Sequence, residues 1–354
     1  MREVMLDSVR IFAKRAPLYA QLAAGFAEEP EVLAILAEAP APQRIPVTLF
    51  AAIHDLLLAE PDAELAQWYP NLTAEPRRDD PVPTAVAFCT ARRGPLVELV
   101  RTRTPQTNEI GRCALLLLGL SQIFEEVGSL AQLDVGASAG LNLLSDHYAY
   151  DYAGHRLGDG HPLLTCEVRP STSGPRLVEP VETPVGVPRV LPVITSRLGL
   201  DRNPIDLTDP EQVRWLEACV WPDQADRFER LRAAIAVAKQ VGVEVVRGDA
   251  VDDLASALDR LGTGHPVVTG SWVLSYLAPP RQQQFLAELD RLGAARDLSW
   301  VSLEEPSATT GLSWPSGLAG GSLSVVRLVT WRSGVRSEQF LAEGHPHGYW
   351  FRWL

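Results

Sequence analysis

The sequence predicts an α/β protein: an N-terminal all-α domain over residues 1–128, then a domain over 129–354 built on a mostly parallel sheet with a small β-rich insertion at 151–190. Three observations predict it. Apolar residues recur at helical spacing up to about residue 128. From Leu130 onward, short apolar runs alternate with helical segments, as in a parallel sheet with crossover helices. Between 151 and 190, Pro and Gly crowd around a single alternating run.

The elements follow in order. Leu18, Leu22 and Phe26 lie on one helical face after Pro17, a residue suited to a first turn. Ile45 to Leu58 and Ile110 to Phe124 are longer segments of the same kind, separated by Pro-containing breaks at 40–46, 70–83 and 104–105. Leu133-Asp134-Val135 reads as a short buried strand ending in Gly136-Ala-Ser138-Ala-Gly140, with a helical LNLLSDHYAY behind it. Leu164, Cys166 and Val168 alternate with polar neighbours inside the insertion. Further strands are expected at Val193–Leu200, Val243–Val246, Pro266–Thr269, Trp300–Leu303, Ser322–Trp331 and Tyr349–Trp353, the last two as an antiparallel addition. Helices are expected at 223–240 and 279–293.

Composition narrows the function. With 44 acidic and 32 basic residues among 354, the net charge is −12, unlike the basic face of a phosphate-backbone binder. Nucleic acid is therefore not expected as a partner. The four cysteines are scattered without CxxC or nearby His, which argues for a reducing cytoplasm and against a metal site. Neither a signal-peptide core nor an apolar run of bilayer length occurs, so no membrane partner is expected. The oligomeric state is not legible.

Asp134-Val-Gly136-Ala-Ser138-Ala-Gly140 carries the functional argument, and three chemistries compete for it. GASAG fits the G-x-S-x-G nucleophile elbow of α/β-hydrolases, with Asp249 or Glu304 and then His345 or His347 as partners in chain order. Against this, the 128 preceding residues read as helical and contain no oxyanion segment. A nicotinamide dinucleotide would want G-x-G-x-x-G, which is not present. The third pattern, an acid two residues before the first of two turn glycines, resembles motif I of class I S-adenosylmethionine-dependent methyltransferases. Small residues there let the backbone approach the cofactor, and a helix N-terminus would offer N–H groups to its carboxylate.

That resemblance continues along the chain. Leu198-Gly-Leu-Asp201 resembles the segment whose acid binds the ribose hydroxyls, and Val245-Val-Arg-Gly-Asp249-Ala250 the one that meets the adenine. Thr269-Gly-Ser271-Trp272-Val-Leu-Ser-Tyr276 resembles the end of the fourth strand, where acceptor and methyl group meet. It implies S-adenosylmethionine as cofactor, held by Asp134, Gly136, Ser138, Gly140, Asn142, Asp201, Asp249, Ala250 and Ser271. It also implies the class I methyltransferase-like (Rossmann-like) fold and methyl transfer. The net charge and the lack of an Asn/Asp-Pro-Pro-Tyr/Phe pattern at the fourth strand's end favour a small-molecule acceptor. A non-catalytic cofactor-binding protein is the alternative reading and the hydrolase the third. Gln106-Thr-Asn108-Glu109-Ile-Gly-Arg112, DVGASAGLNL, Trp221-Pro-Asp-Gln224 and Trp314-Pro are similar to the signature of a bacterial family known as domain of unknown function 2332.

Further residues carry expectations of their own. Gln106, Asn108, Arg112, Tyr150, Trp272 and Tyr276 are candidates for acceptor binding. Thr107 or Asn108 could equally cap the next helix, with Glu109 complementing its dipole. Glu109, Asp146 and His147 are the candidate bases by chain position, Asp146, His147 and Tyr150 being placed on the helix after the turn. His54 reads as a hydrogen-bonded core histidine. The acceptor is expected between the helical domain and the insertion.

Overall fold

A computed structural model describes residues 1–171, 186–316, 318 and 323–354. The chain forms two compact units: 1–107 with 206–232, and 108–205 with 233–354.

The first unit is helical, as expected. Its helices are α1 (Arg2–Phe12), α2 (Pro17–Phe26), α3 (Pro30–Ala37), α4 (Pro46–Ala59), α5 (Val82–Ala91) and α6 (Arg93–Thr102). Proline stands in the first turn of α2, α3, α4 and α5, where its missing N–H costs nothing and its fixed φ suits the helix. Phe12, Tyr19, Phe26 and Phe50 are buried together, Tyr19 stacking on Phe50 at 4.4 Å. His54 is buried on α4; its Nδ1 donates to the Ala218 carbonyl (3.0 Å) and its Nε2 accepts from Asn71 (2.9 Å).

The second unit begins with α7 (Cys113–Val127), which the sequence reading placed in the helical domain. Its residues from Cys113 to Ser121 are all buried, so it is a core helix rather than an amphipathic surface one. Among the described residues, eleven strands follow in one sheet: β1 (Leu130–Val135), β2 (Ala149–Tyr152), β3 (His155–Leu157), β4 (Leu163–Arg169), β5 (Ile194–Asp201), β6 (Val245–Arg247), β7 (His265–Ser271), β8 (Leu298–Glu304), β9 (Ser324–Arg332), β10 (Val335–Gly344) and β11 (Trp350–Trp353). Their order is β3-β2-β4-β11-β10-β9-β8-β7-β1-β5-β6. From β8 to β6 every neighbouring pair is parallel. The chain's first strand therefore lies mid-sheet, with later strands added on one side (β5, β6) and then on the other (β7, β8). Between these strands run α8 (Pro210–Ala218), which belongs to the first unit, α9 (Ala225–Val241), shared by the two, α10 (Leu254–Leu258) and α11 (Pro279–Ala295).

Successive residues of β8 face opposite sides of the sheet. Val301 meets α7 at Gly119, where an added Cβ would lie 2.8 Å from it. Trp300 meets Phe285 of α11 edge-on at 5.6 Å.

Four expectations change. The division is not at 128, because α7 belongs with the sheet and 206–232 with the helices. LNLLSDHYAY is not an α-helix: Leu141–His147 is 3-10 and Tyr150 lies on β2. The insertion is part of the main sheet, since β4 pairs with β11; its residues 172–185, and Ser322 of the expected late strand, lie outside the described residues. The closing pair also has a third member, β10, joined to β9 by a two-residue turn at Ser333-Gly334 with both φ positive, the geometry that matches strand twist.

Burial pushes the His54 imidazole down to about 4. An unfolded chain takes that proton near pH 6.5, so the contribution of neutral His54 is present above 6.5 and lost as pH falls to about 4, a span of roughly 3 kcal/mol. Urea denaturation of wild type and His54→Gln should therefore show the wild type losing stability more steeply across this window. Parallel curves would mean that His54 is not held neutral.

Candidate functional site

The carboxyl ends of the parallel strands form a level row. Val135 lies opposite Leu200 and Gly270, Asp201 opposite Arg247, and Ser271 opposite Leu303. The turn after β1 is left-handed at Gly136 (φ +73), Ser138 (φ +54) and Gly140 (φ +76). A Cβ on Gly136 would lie 2.5 Å from Val273 Cγ2, and one on Gly140 2.9 Å from Val245 Cγ2, so glycine is required twice over. Ser138 holds a conformation that costs a non-glycine residue about 1–3 kcal/mol. Its backbone is clasped on both sides: its N–H donates to Asp201 Oδ2 (2.8 Å), and its carbonyl accepts from Ile205 N–H (3.1 Å).

The N–H groups of this turn are not open to a ligand, contrary to expectation. Gly136 and Ala137 donate to the Leu200 carbonyl, and Gly140 to that of Ala137. Ala139 and Leu141 donate to the side-chain oxygen of Asn108 at 3.1 and 3.3 Å. Asn108 thus caps the glycine turn rather than the helix that follows it.

The residues after Asn108 continue this bracket. Glu109 Oε1 accepts from Gly111 N–H (3.0 Å) and Oε2 lies 3.2 Å from His347 Nδ1. Arg112, expected among the acceptor-binding residues, donates from Nε to the Pro346 carbonyl (2.9 Å) and from Nη1 to that of Ser271 (3.1 Å). Its guanidinium stands 5.7 Å from the Trp272 ring. Close approach requires Gly111 and Gly348: a Cβ on Gly111 would be 2.3 Å from the His347 carbonyl oxygen, and one on Gly348 1.9 Å from that of Gly111. Behind them, Asn142 Nδ2 donates to Ser271 Oγ (3.4 Å), Cys113 Sγ to Asn142 Oδ1 (3.5 Å), and Thr269 Oγ1 to Asp134 Oδ1 (2.7 Å).

Two buried acids sit at strand ends. Burial pushes Asp134 up to about 7 against the Thr269 hydrogen bond, and pushes Glu304 up to about 7 against the N–H groups of Leu274 and Val273. Glu304 Oε1 accepts both N–H groups, at 3.1 and 3.0 Å, whereas Oε2 is buried without a partner among the described residues.

Other expected site residues have different surroundings. Asp249 is desolvated, but Arg202 and the N–H groups of Val251 and Asp252 outweigh that and hold it well below the usual carboxylate range; Arg281 also reaches it, and Ala250 is buried beside it. Asp146 forms a two-point ion pair with Arg197 (3.0 and 2.9 Å), which lies level with Gln132 in mid-strand, and His147 is 4.0 Å from Asp146. Neither candidate base stands at the edge. Tyr150 is fully buried with its hydroxyl on the Ser145 carbonyl, so it lines no cleft. Trp272 is left-handed (φ +57), with its indole N–H on Ser324 Oγ, and Tyr276 is 82% exposed. Gln106 belongs to the first unit. Ser138 Oγ is buried without a partner among the described residues, so no described base is in place to activate it as a nucleophile.

Sequence reasoning named Glu304, His345 and His347 only as possible partners of a hydrolase serine and gave them no role in the preferred reading. An acid directly after the buried run Trp300–Leu303 is the signal for Glu304, whereas Asp134 was marked by the glycine turn two residues beyond it. His347 had no such signal, because its partner Glu109 is 238 positions earlier in the chain.

A family model described as "Uncharacterized protein conserved in bacteria (DUF2332)" matches residues 6–353. No curated protein matches the chain. No described helix is long and apolar enough to cross a membrane.

Removing the Asn108 amide leaves two buried N–H groups unpaired, each worth about 1–3 kcal/mol. Asn108→Ala should lower the unfolding free energy by about 2–6 kcal/mol and Asn108→Asp, which keeps an acceptor, by clearly less; equal losses would contradict the capping role. Native Glu304 keeps its proton to about 7, whereas an unfolded glutamate loses it near 4.5, so its contribution is present in acid and lost as pH rises through 7. Relative to Glu304→Gln, wild type should lose about 1.4 kcal/mol per pH unit between 5 and 7 in chemical denaturation. Identical slopes would contradict a buried, protonated Glu304.

Proposed function

We propose that this chain, which belongs to the family of uncharacterised proteins conserved in bacteria named above, binds S-adenosylmethionine at the carboxyl ends of β1, β5, β6 and β7 and transfers its methyl group to a small molecule. One observation carries the reading: the strand order reverses at β1, and the end of that strand bears a left-handed turn of small residues clasped by the acid ending β5. Open parallel sheets bind ligands at such switch points, outside the carboxyl ends of their strands.

The residues present fit the adenosyl group at several points. Asp201 Oδ1 and Oδ2 each receive one backbone N–H, from Asn203 and Ser138, and a carboxylate has lone pairs left for ribose hydroxyls. The orphaned Ser138 hydroxyl offers a buried donor beside it. Gly136 and Gly140 keep the backbone bare, Ser271 and Asn142 supply polar atoms at the next strand end, and Asp134 and Asp249 complete the set of acids. Since Asn108 fills the turn, the ligand's carboxylate has to be held elsewhere. When bound, S-adenosylmethionine supplies a methyl carbon activated by its sulfonium. The chain contributes alignment and exclusion of water, which lower the barrier of an in-line displacement. A net charge of −12 favours a small acceptor over a polyanion.

A second reading, binding without transfer, draws support from the occupied N–H groups of the turn and from the pairing of Asp249 with Arg202 and Arg281.

Titration calorimetry of the full chain with S-adenosylmethionine and S-adenosylhomocysteine tests the common premise. Both should bind wild type. Asp201→Asn should weaken them roughly five- to a hundredfold, equivalent to the loss of about 1–3 kcal/mol. Ser138→Gly, which relieves a left-handed serine, should stay folded and still bind. Absence of binding by wild type, or equal binding by wild type and Asp201→Asn, would refute the site.

A further inference from the structure

The loop His345-Pro346-His347-Gly348-Tyr349 between β10 and β11 is built to hold one imidazole in one place. Glu109 Oε2 meets His347 Nδ1 at 3.2 Å, while Oε1 is fixed by Gly111 N–H at 3.0 Å. The carboxylate is 3% exposed and the imidazole 18%. The His347 N–H donates to His345 Nδ1 (3.1 Å), and the His345 ring lies 4.8 Å from that of Tyr349. Gly111 and Gly348 permit the backbone approach that sets the distance, since a side chain at either would collide with the other segment.

This pair is tied to the strand edge at both ends. Asn108, adjacent to Glu109, caps the turn after β1. Arg112 bridges the Pro346 carbonyl and that of Ser271 at the end of β7. The Glu109 carboxylate, 3.2 Å from Nδ1, attracts a protonated ring and favours the orientation that keeps Nδ1 toward it. An imidazole oriented by a carboxylate beside a ligand-binding edge is the arrangement of a general base.

We propose that His347 is the base of the reaction proposed above, with Glu109 as its positioning residue, and that the acceptor is one that must lose a proton: a hydroxyl, thiol or N–H compound. The proposal rests on that reading of the site. His347 Nε2 takes the acceptor's proton as the acceptor's lone pair bonds to the methyl carbon, the carbon–sulfur pair stays on sulfur, and the proton then passes to solvent. The proton balances without a further reactant. A carboxylate acceptor, already ionised at neutral pH, would need no such residue.

Diethylpyrocarbonate, which acylates neutral imidazole, tests this without an identified acceptor. The full-length protein is treated at pH 6, and modification of His347 is followed by mass spectrometry of the digest. A sulfonium within several ångströms disfavours the protonated ring, so His347 should react about threefold or more faster in the S-adenosylmethionine complex than in the uncharged S-adenosylhomocysteine complex. Glu109→Gln, which removes the favourable carboxylate, should also react faster than wild type at pH 6 and lose that advantage at pH 8. Equal rates in two complexes that calorimetry shows to be formed would overturn the base while leaving the binding site standing. So would an unmodified His347, or a Glu109→Gln profile identical to wild type. Failure of both ligands to bind would instead refute the underlying reading.

Discussion

Buried backbone N–H groups must be paired, and at Ala139 and Leu141 the partner among the described residues is the amide oxygen of Asn108. Much of the site's geometry follows from that requirement. With Asn108 anchored in the turn, Glu109 and Arg112 are delivered to the loop at 345–349 and to the end of β7, and α7 begins immediately afterwards as the core helix under the sheet. A short polar segment thereby joins the end of the first strand, the end of the seventh and the last hairpin.

The electrostatics follow from burial. Asp134 and Glu304 are almost completely removed from water, and burial raises both toward neutrality. Asp249 is also partly desolvated, but Arg202 and two backbone N–H groups keep it ionised. Acids at neighbouring strand ends therefore differ in charge state according to their partners. Desolvation governs where an acid is fully buried with no cation paired to it, and ion pairing governs at the rim.

What could be read from the sequence was local. The glycine turn, the buried strands beside it, the helical first unit and His54 as a bonded core residue all depend on periodicity or residue type within a few positions. Misreadings arose where distant chain decides. Leu141–His147 has an apolar pattern that suits an α-helix, but Tyr148 and Tyr150 pull the chain into β2 through hydroxyl bonds to Leu141 and Ser145 carbonyls. Asp146 looked free for catalysis until Arg197, 51 positions on, paired with it. β10 escaped notice because its first half is mostly exposed and polar, leaving the Ser333-Gly334 turn as its one local signal. The link from Glu109 to His347 spans most of the chain, and no spacing rule reaches so far.

The account's central claim, that the edge closed by Asn108 and Asp201 receives an adenosyl ligand, is tested most directly by a crystal structure of the protein grown with S-adenosylhomocysteine. The account predicts the ribose hydroxyls on Asp201, the adenosine lying across the ends of β1 and β5, and the Asn108 amide still seated on Ala139 and Leu141. A ligand bound away from these strand ends, or a ligand whose carboxylate has displaced Asn108 from the turn, would contradict it.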